Sequence, residues 1–182
     1  EDMLGLVNAL LEVYRYDSGK IYLCKTNFDI KKLALECIDE LKPLSQKANI
    51  ELKLETEEGE LFINADKNEI RRVLINLIGN AIKHSQKSDR VDIKINKKEK
   101  DLIVDIIDYG IGLSKEDCEK LFNRFSQGTN QKRSSSTGLG LYLSRQIIEA
   151  HNGRIHVDSA LNKGAKFSFE LKNSINDCKV IL

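Results

Sequence analysis

The sequence predicts a mixed α and β domain built around one core. Three features carry that expectation. Apolar residues recur with the 3.6-residue helical period over 30–41 and 70–82. They alternate or run together over strand-length segments at 50–54, 61–63, 91–95, 102–107, 155–158 and 166–171. The composition, 41% hydrophobic and 31% charged, is that of a globular domain rather than a disordered or membrane one. A chain of 182 residues buries about two-thirds of its unfolded surface, enough for one core. No apolar run approaches the roughly 20 residues of a spanning helix, and no leader pattern is seen. With 29 Lys and Arg against 28 Asp and Glu, the net charge of +1 disfavours general nucleic-acid binding. Cys24, Cys37, Cys118 and Cys178 lack CxxC or ligand spacing. They are expected to be buried reduced thiols in a cytosolic compartment, not zinc ligands or disulfides.

Along the chain, Leu4, Val7, Leu11 and Tyr14 fall at 3-4-3 spacing beside a second stripe of Met3, Leu6, Leu10 and Val13. A helix with two apolar seams wants helical neighbours. It is expected to extend before residue 1 and to end at Asp17-Ser18-Gly19. Asp29 is placed to cap a second helix through Leu41, which Pro43 should kink or loosen. Ile50, Leu52 and Leu54 predict a half-buried strand, and Leu61 to Ile63 a short one after Gly59. Asp66 caps a long helix whose stripe is Ile70, Val73, Leu74, Leu77, Ile78, Ala81 and Ile82. The nearly continuous apolar run Leu102–Ile107 should be a central strand, joined to Val91–Ile95 by the charged turn 97–101. Ser114 with Asp117 forms a capping box before Leu121 and Phe122. Residues 126–137 are polar and aperiodic, which predicts a mobile loop. A helix from about Gly138 to His151 stops at Asn152-Gly153, and the last two strands flank Asn162-Lys163-Gly164. The last ten residues show no pattern, and no repeat is found.

Three polar segments carry chemistry. Asn76, Asn80 and Lys83 lie at i, i+4 and i+7, within about 60° of arc beside the apolar stripe. An amide oxygen suits magnesium, and a lysine meets phosphate as a point charge. A plain solvated face shows the same spacing. Asp108-Tyr109-Gly110-Ile111-Gly112 follows the central strand, where a carboxylate can accept from an exocyclic amine and glycines admit a flat ligand. A hairpin with a turn Asp looks similar. Thr137-Gly138-Leu139-Gly140-Leu141 turns a loop into a helix whose orphan amides and dipole favour an anion. A lone GxG is more often only a flexible helix start.

Taken together in this order, the segments resemble a known family. Asn76 to His84 (NLIGNAIKH), Asp108 to Leu113 (DYGIGL), Leu121 to Phe125 (LFNRF) and Thr137 to Leu141 (TGLGL) look like the N, G1, F and G2 boxes of the histidine-kinase catalytic domain. That domain belongs to an ATPase superfamily shared with gyrase B, MutL and the heat-shock chaperone ATPases. The resemblance spans residues 28–171, and residues 1–20 resemble the end of a dimerisation helix. It implies a two-layer α/β (α+β) sandwich of the Bergerat type, with helices on one face of a mixed sheet. Residues 1–20 would be that helix, 21–172 the ATP-binding catalytic domain and 173–182 a tail. ATP and Mg2+ would be bound between the helices and a lid formed by 126–137. Asn80 would ligate Mg2+, Asn76 and Lys83 would meet phosphates, and Asp108 would hold the adenine amine. Gly110, Gly112, Gly138 and Gly140 would allow close backbone approach, with Thr137, Leu139, Leu141 and His84 lining the site. Phe122 and Phe125 would anchor the lid or serve as core aromatics. Many relatives carry an arginine where this chain has Gln127, so its role passes to Arg124, Lys132 or Arg133, or is lost. Ser135 and Ser136 replace frequent glycines.

Hydrolytic members of the superfamily carry a glutamate four residues before the magnesium asparagine; here that place is Asn76, which cannot act as a base at neutral pH. The resemblance therefore implies a kinase, with an anti-sigma-factor-type serine kinase or a regulatory nucleotide-binding module as alternatives. The implied partners are the dimerisation and phosphoacceptor domain of the same kinase, a response regulator and a second copy in a full-length homodimer. Nucleic acid is not among them, and a membrane is involved only through parts beyond this chain. The setting is cytoplasmic. The resembled phosphoacceptor precedes an acidic residue and a proline on the first dimerisation helix. His84, the first histidine, follows the only proline, Pro43, so His84, His151 and His156 are all expected to be structural. His151, closing its helix, is expected to be a cation on the dipole.

Overall fold

A computed structural model describes residues 22–85, 88–98, 101–126 and 138–172. The expected dimerisation helix, most of the lid segment with Gln127, Lys132, Arg133 and Thr137, and the tail lie outside the described residues. The element order is β1 (Thr26–Asp29), α1 (Ile30–Lys47), β2 (Glu51–Thr56), β3 (Phe62–Ala65), α2 (Lys67–His84), β4 (Arg90–Lys98), β5 (Asp101–Asp108), α3 (Lys115–Lys120), α4 (Gly140–Ala150), β6 (Arg154–Ser159) and β7 (Ala165–Lys172).

Five strands form one sheet in the order β2-β4-β5-β7-β6. The pair β2–β4 is parallel and the other pairs are antiparallel. A parallel neighbour requires a crossover, and the chain between β2 and β4 supplies it through α2. β5 is the middle strand, as its apolar run predicts. Its register aligns Val91 with Asp108, Ile93 with Ile106 and Ile95 with Val104, so one face of the sheet is apolar. That face meets α1, α2 and α4, whose Leu33, Val73, Leu74, Leu77, Ile78, Ile147 and Ile148 are fully or almost fully buried. α2 packs against both α1 and α4. On the opposite face Lys94 reaches Glu55 at 2.8 Å and Lys166 reaches Asp158 at 3.4 Å. Hydrogen bonds from Lys94 and Lys53 hold the Glu55 carboxyl down to about 2. Such exposed pairs add little stability.

Both expected aspartate caps are present. Asp29 Oδ1 accepts from Lys31 N at 3.0 Å and Leu61 N at 3.3 Å. Asp66 Oδ1 accepts from Asn68 N at 3.1 Å and Glu69 N at 3.3 Å, and its Oδ2 from Cys24 N at 2.8 Å. α1 runs on through Pro43 to Lys47, the proline giving up the one hydrogen bond that its own N–H would make to the carbonyl of Asp39. β1 was not foreseen. It has one apolar residue in four, and its pairing with β3, Phe28 opposite Ile63, comes from chain more than thirty positions away.

Two expectations are corrected. Cys24 is exposed, whereas Cys37 is buried and its thiol is pushed up to about 11 by that burial. His151 is a buried neutral ring and not a dipole-bound cation. Burial lowers its pKa, outweighing the Ile147 carbonyl that favours protonation. Its Nδ1 lies 2.8 Å from Ile147 O, and its Nε2 accepts from Asp66 N at 3.0 Å, so Nδ1 carries the hydrogen.

Candidate functional site

The site is laid along the C-terminal half of α2. Asn76 and Asn80 are half-buried and Lys83 is exposed, a gradient set by the apolar stripe beside them. At one end lies α4. Its N-cap Leu139 makes no side-chain capping bond, and its first turn contains no acidic residue, so its amides keep their affinity for an anion. Gly140 brings this turn onto Asn76: a Cβ there would sit 2.4 Å from Asn76 Oδ1. Asn76 Nδ2 donates to Ser144 Oγ at 2.9 Å.

At the other end is the loop after β5. Asp108 is only 4% exposed. Its Oδ1 accepts from Gly110 N at 3.0 Å and Ala165 N at 3.3 Å, while Oδ2 has no hydrogen bond among the described residues. Burial raises the Asp108 pKa, and those two amide bonds oppose the rise. A carboxylate held in this way presents one free oxygen in a poorly solvated place, where a donor hydrogen bond counts most. Gly110 is pinned to α2, since a Cβ would come 2.0 Å from His84 O. The His84 ring is half-buried, and burial followed by the Lys83 charge lowers its pKa, favouring the neutral form.

The turn between β6 and β7 braces this loop. Gly112 and Gly164 have φ of 66° and 77°. A Cβ on them would strike Ala160 O at 2.0 Å and Asp108 O at 2.1 Å, so both the conformation and the space demand glycine. Asn162 N donates to Ile111 O at 2.6 Å, and Leu113 N to Ser159 Oγ at 2.9 Å. Tyr109 is tied down separately. Its hydroxyl donates to Asp92, and the Arg90 guanidinium lies 5.0 Å from its ring centroid. The supporting residues Ser144, Ser159, Arg90 and Asp92 stand outside the motifs, because they act through partners that local sequence does not reveal.

The remaining residues are also placed. Leu139 is 1% exposed and belongs to the core, so its side chain does not line a ligand site, and Leu141 packs partly against the core. Gly138 lies against Phe125 and Ser126, bringing together the two ends of the 127–137 segment. Phe122 packs on the core, while Phe125 is 57% exposed. Arg124 donates to the Tyr142 hydroxyl at 3.1 Å and stacks 5.0 Å from its ring centroid. No group of three or more His, Cys, Asp and Glu gathers for a metal among the described residues. A hard cation here would need neutral oxygens and the ligand's own charge, which suits Asn80. His84 and Asn76, eight positions apart, put the two ends about 12 Å apart along α2.

Residues 65–175 match the family described as Histidine kinase-, DNA gyrase B-, and HSP90-like ATPase. The chain belongs to this family. Within it, the chain is 31% identical to sensor histidine kinase WalK of Bacillus subtilis over 175 residues, covering 94% of this chain but 28% of WalK. Full-length ShkA in complex with AMPPNP aligns with a TM-score of 0.85 and 26% identity, over 93% of this chain and 35% of that one. The nucleotide-free catalytic domain of histidine kinase ThkA aligns at 0.71 with 30% identity, over 82% and 95%. ThkA in complex with the response regulator protein TrrA aligns at 0.76 with 28% identity, over 94% and 48%. The mixed sheet with helices on one face is the fold of these ATPase domains. Among the described residues no helix is long and apolar enough to cross a membrane.

Proposed function

We propose that this chain is the ATP-binding catalytic domain of a two-component sensor histidine kinase, transferring the γ-phosphoryl of ATP to a histidine on a dimerisation domain. The observation that carries the reading is the pairing of two ligand ends on one helix face. Asp108 Oδ2 is left unbonded at one end, and the uncapped first turn of α4 lies at the other. Their separation suits an adenine and a phosphate chain. The Asp108 carboxylate accepts from the 6-amino group, and the amides of α4 from Gly140 onward receive phosphate. Lys83 and Arg124 supply positive charge at the rim. Bound at Asn80, Mg2+ would neutralise charge on the phosphates.

Transfer to an imidazole needs no base comparable to the one that hydrolysis requires, because the ring nitrogen is already nucleophilic. An amide at position 76 fits that chemistry: it orients and does not take a proton. Catalysis is then positioning and charge stabilisation along α2, with the acceptor brought in line to about 3–3.5 Å. The partners in this reading are a dimerisation domain, a response regulator and, in the full-length protein, a second copy. The setting is the cytoplasm.

Calorimetry with Mg-ATP tests the assignment. Asn80→Ala should abolish magnesium-dependent binding with little change in unfolding, since it removes a ligand and no core volume. Wild-type affinity in that variant removes Asn80 from the site.

A further inference from the structure

Ser144 is a buried hydroxyl, 2% exposed, one turn into α4, and the function proposed above does not use it. It faces the same side as Gly140, four positions earlier, and so points at α2. Its Oγ receives Asn76 Nδ2 at 2.9 Å. The other end of the same amide, Oδ1, rests against Gly140. Both polar atoms of Asn76 thus meet the first two turns of α4.

Around this pair the contact between the helices is apolar, with Leu77, Leu143 and Ile147 buried beside it. A polar pair in such a seam gives no more stability than two apolar groups of the same shape, and losing one partner leaves the other unsatisfied. A hydroxyl can accept from an amide nitrogen or donate to an amide oxygen; here it accepts one hydrogen of Asn76 Nδ2, the arrangement that leaves Oδ1 against Gly140 at the start of α4.

We propose that Ser144 is a positioning residue for the nucleotide site: it fixes the amide of Asn76 and thereby the register of the α2 polar face against the first turn of α4. This rests on reading those two elements as the phosphate end of an ATP site. Removing the hydroxyl lets the amide turn and widens the gap.

The test is a double-mutant cycle on Mg-ATP affinity, read by calorimetry, with Asp108→Asn as the control for the site itself. Ser144→Ala should weaken binding about three- to tenfold, the range for one net hydrogen bond. It should also lower the melting temperature by a few degrees because the Asn76 amide loses its partner, so the cycle and not the single variant decides. Ser144→Cys, near in volume but a poor acceptor, should do the same, and Ser144→Thr should restore most of the affinity. In an Asn76→Ala background, Ser144→Ala should have no further effect. Wild-type affinity in Ser144→Ala, or equal losses in both backgrounds, would overturn the inference. If that happens while Asp108→Asn still weakens ATP, only the role of Ser144 falls. If the unmutated chain binds no ATP, the function falls and takes this inference with it.

Discussion

Asp108 divides its carboxylate between the fold and a ligand: Oδ1 holds the Gly110 and Ala165 amides, and Oδ2 is left over. An asparagine can keep the first duty through its own carbonyl, but it lacks the charge and can present only one oxygen. Asp108→Asn should therefore fold and should lose about 1.5–3 kcal/mol in ATP binding. GTP, which has no 6-amino group, should be affected far less, and equal losses for the two nucleotides would make Asp108 a structural residue. Two glycines give opposite expectations for the same substitution. At Gly164 a methyl meets Asp108 O at 2.1 Å with φ at 77°, so Gly164→Ala should be strongly destabilising and should disturb the Asp108 loop. At Gly79, in the interior of α2, a methyl meets nothing within 4 Å. There alanine should raise stability by about 0.5–1 kcal/mol in urea titration, because it restricts the unfolded chain. A loss at Gly79 would mean that its open side is needed for packing.

At the scale of elements, α2 and α4 are joined at two places, by Asn76 to Ser144 near the site and by Asp66 to His151 far from it. The second link works only with a neutral ring, since a protonated Nε2 would face the Asp66 amide donor to donor. Burial keeps the folded-state pKa below the ordinary value of about 6.5. Lys25 also disfavours the charged ring, while Asp66, Glu69 and the Ile147 carbonyl favour it. The unfolded chain thus takes up this proton first. The contribution is fully present above pH about 6.5 and is lost as pH falls through the folded-state pKa. Between pH 7.5 and 5.5 wild type should lose more stability in urea than His151→Gln; the same loss in both would detach His151 from the effect. The elements themselves were legible wherever periodicity and caps agreed. Asp66 and the seven-residue stripe of α2 gave its start and its buried face, and the apolar run of β5 gave its central place. β1 and the neutrality of His151 were not legible. Each is decided by a partner remote in sequence, Ile63 opposite Phe28 and the Asp66 amide on the ring.

For the whole molecule, one apolar face of a mixed sheet carries three helices, and the proposed site lies along the middle one. The resemblance of the four boxes anticipated the mixed sheet with helices on one face. What it did not anticipate is the bracing: the Ser159 and Gly164 turn behind Asp108, the Arg90–Asp92–Tyr109 group, and Ser144 under Asn76. Apart from Tyr109, which lies in the second box, these residues stand outside the boxes and act through partners elsewhere in the chain, as Ser159 does through the Leu113 amide and the Gly164 carbonyl. The chain spans 28% of the length of WalK, and the histidine that accepts phosphate is assigned here to a separate domain. His84 ends α2 half-buried, His151 is locked as a neutral ring, and His156 lies exposed on β6. The most direct measurement is incubation with γ-labelled ATP and Mg2+, with and without an added dimerisation domain bearing its phosphoacceptor histidine. The account predicts acid-labile phosphohistidine on the added domain and no label on this chain. Stable label on His84, His151 or His156, or an added domain that stays unlabelled while ATP is bound, would contradict it.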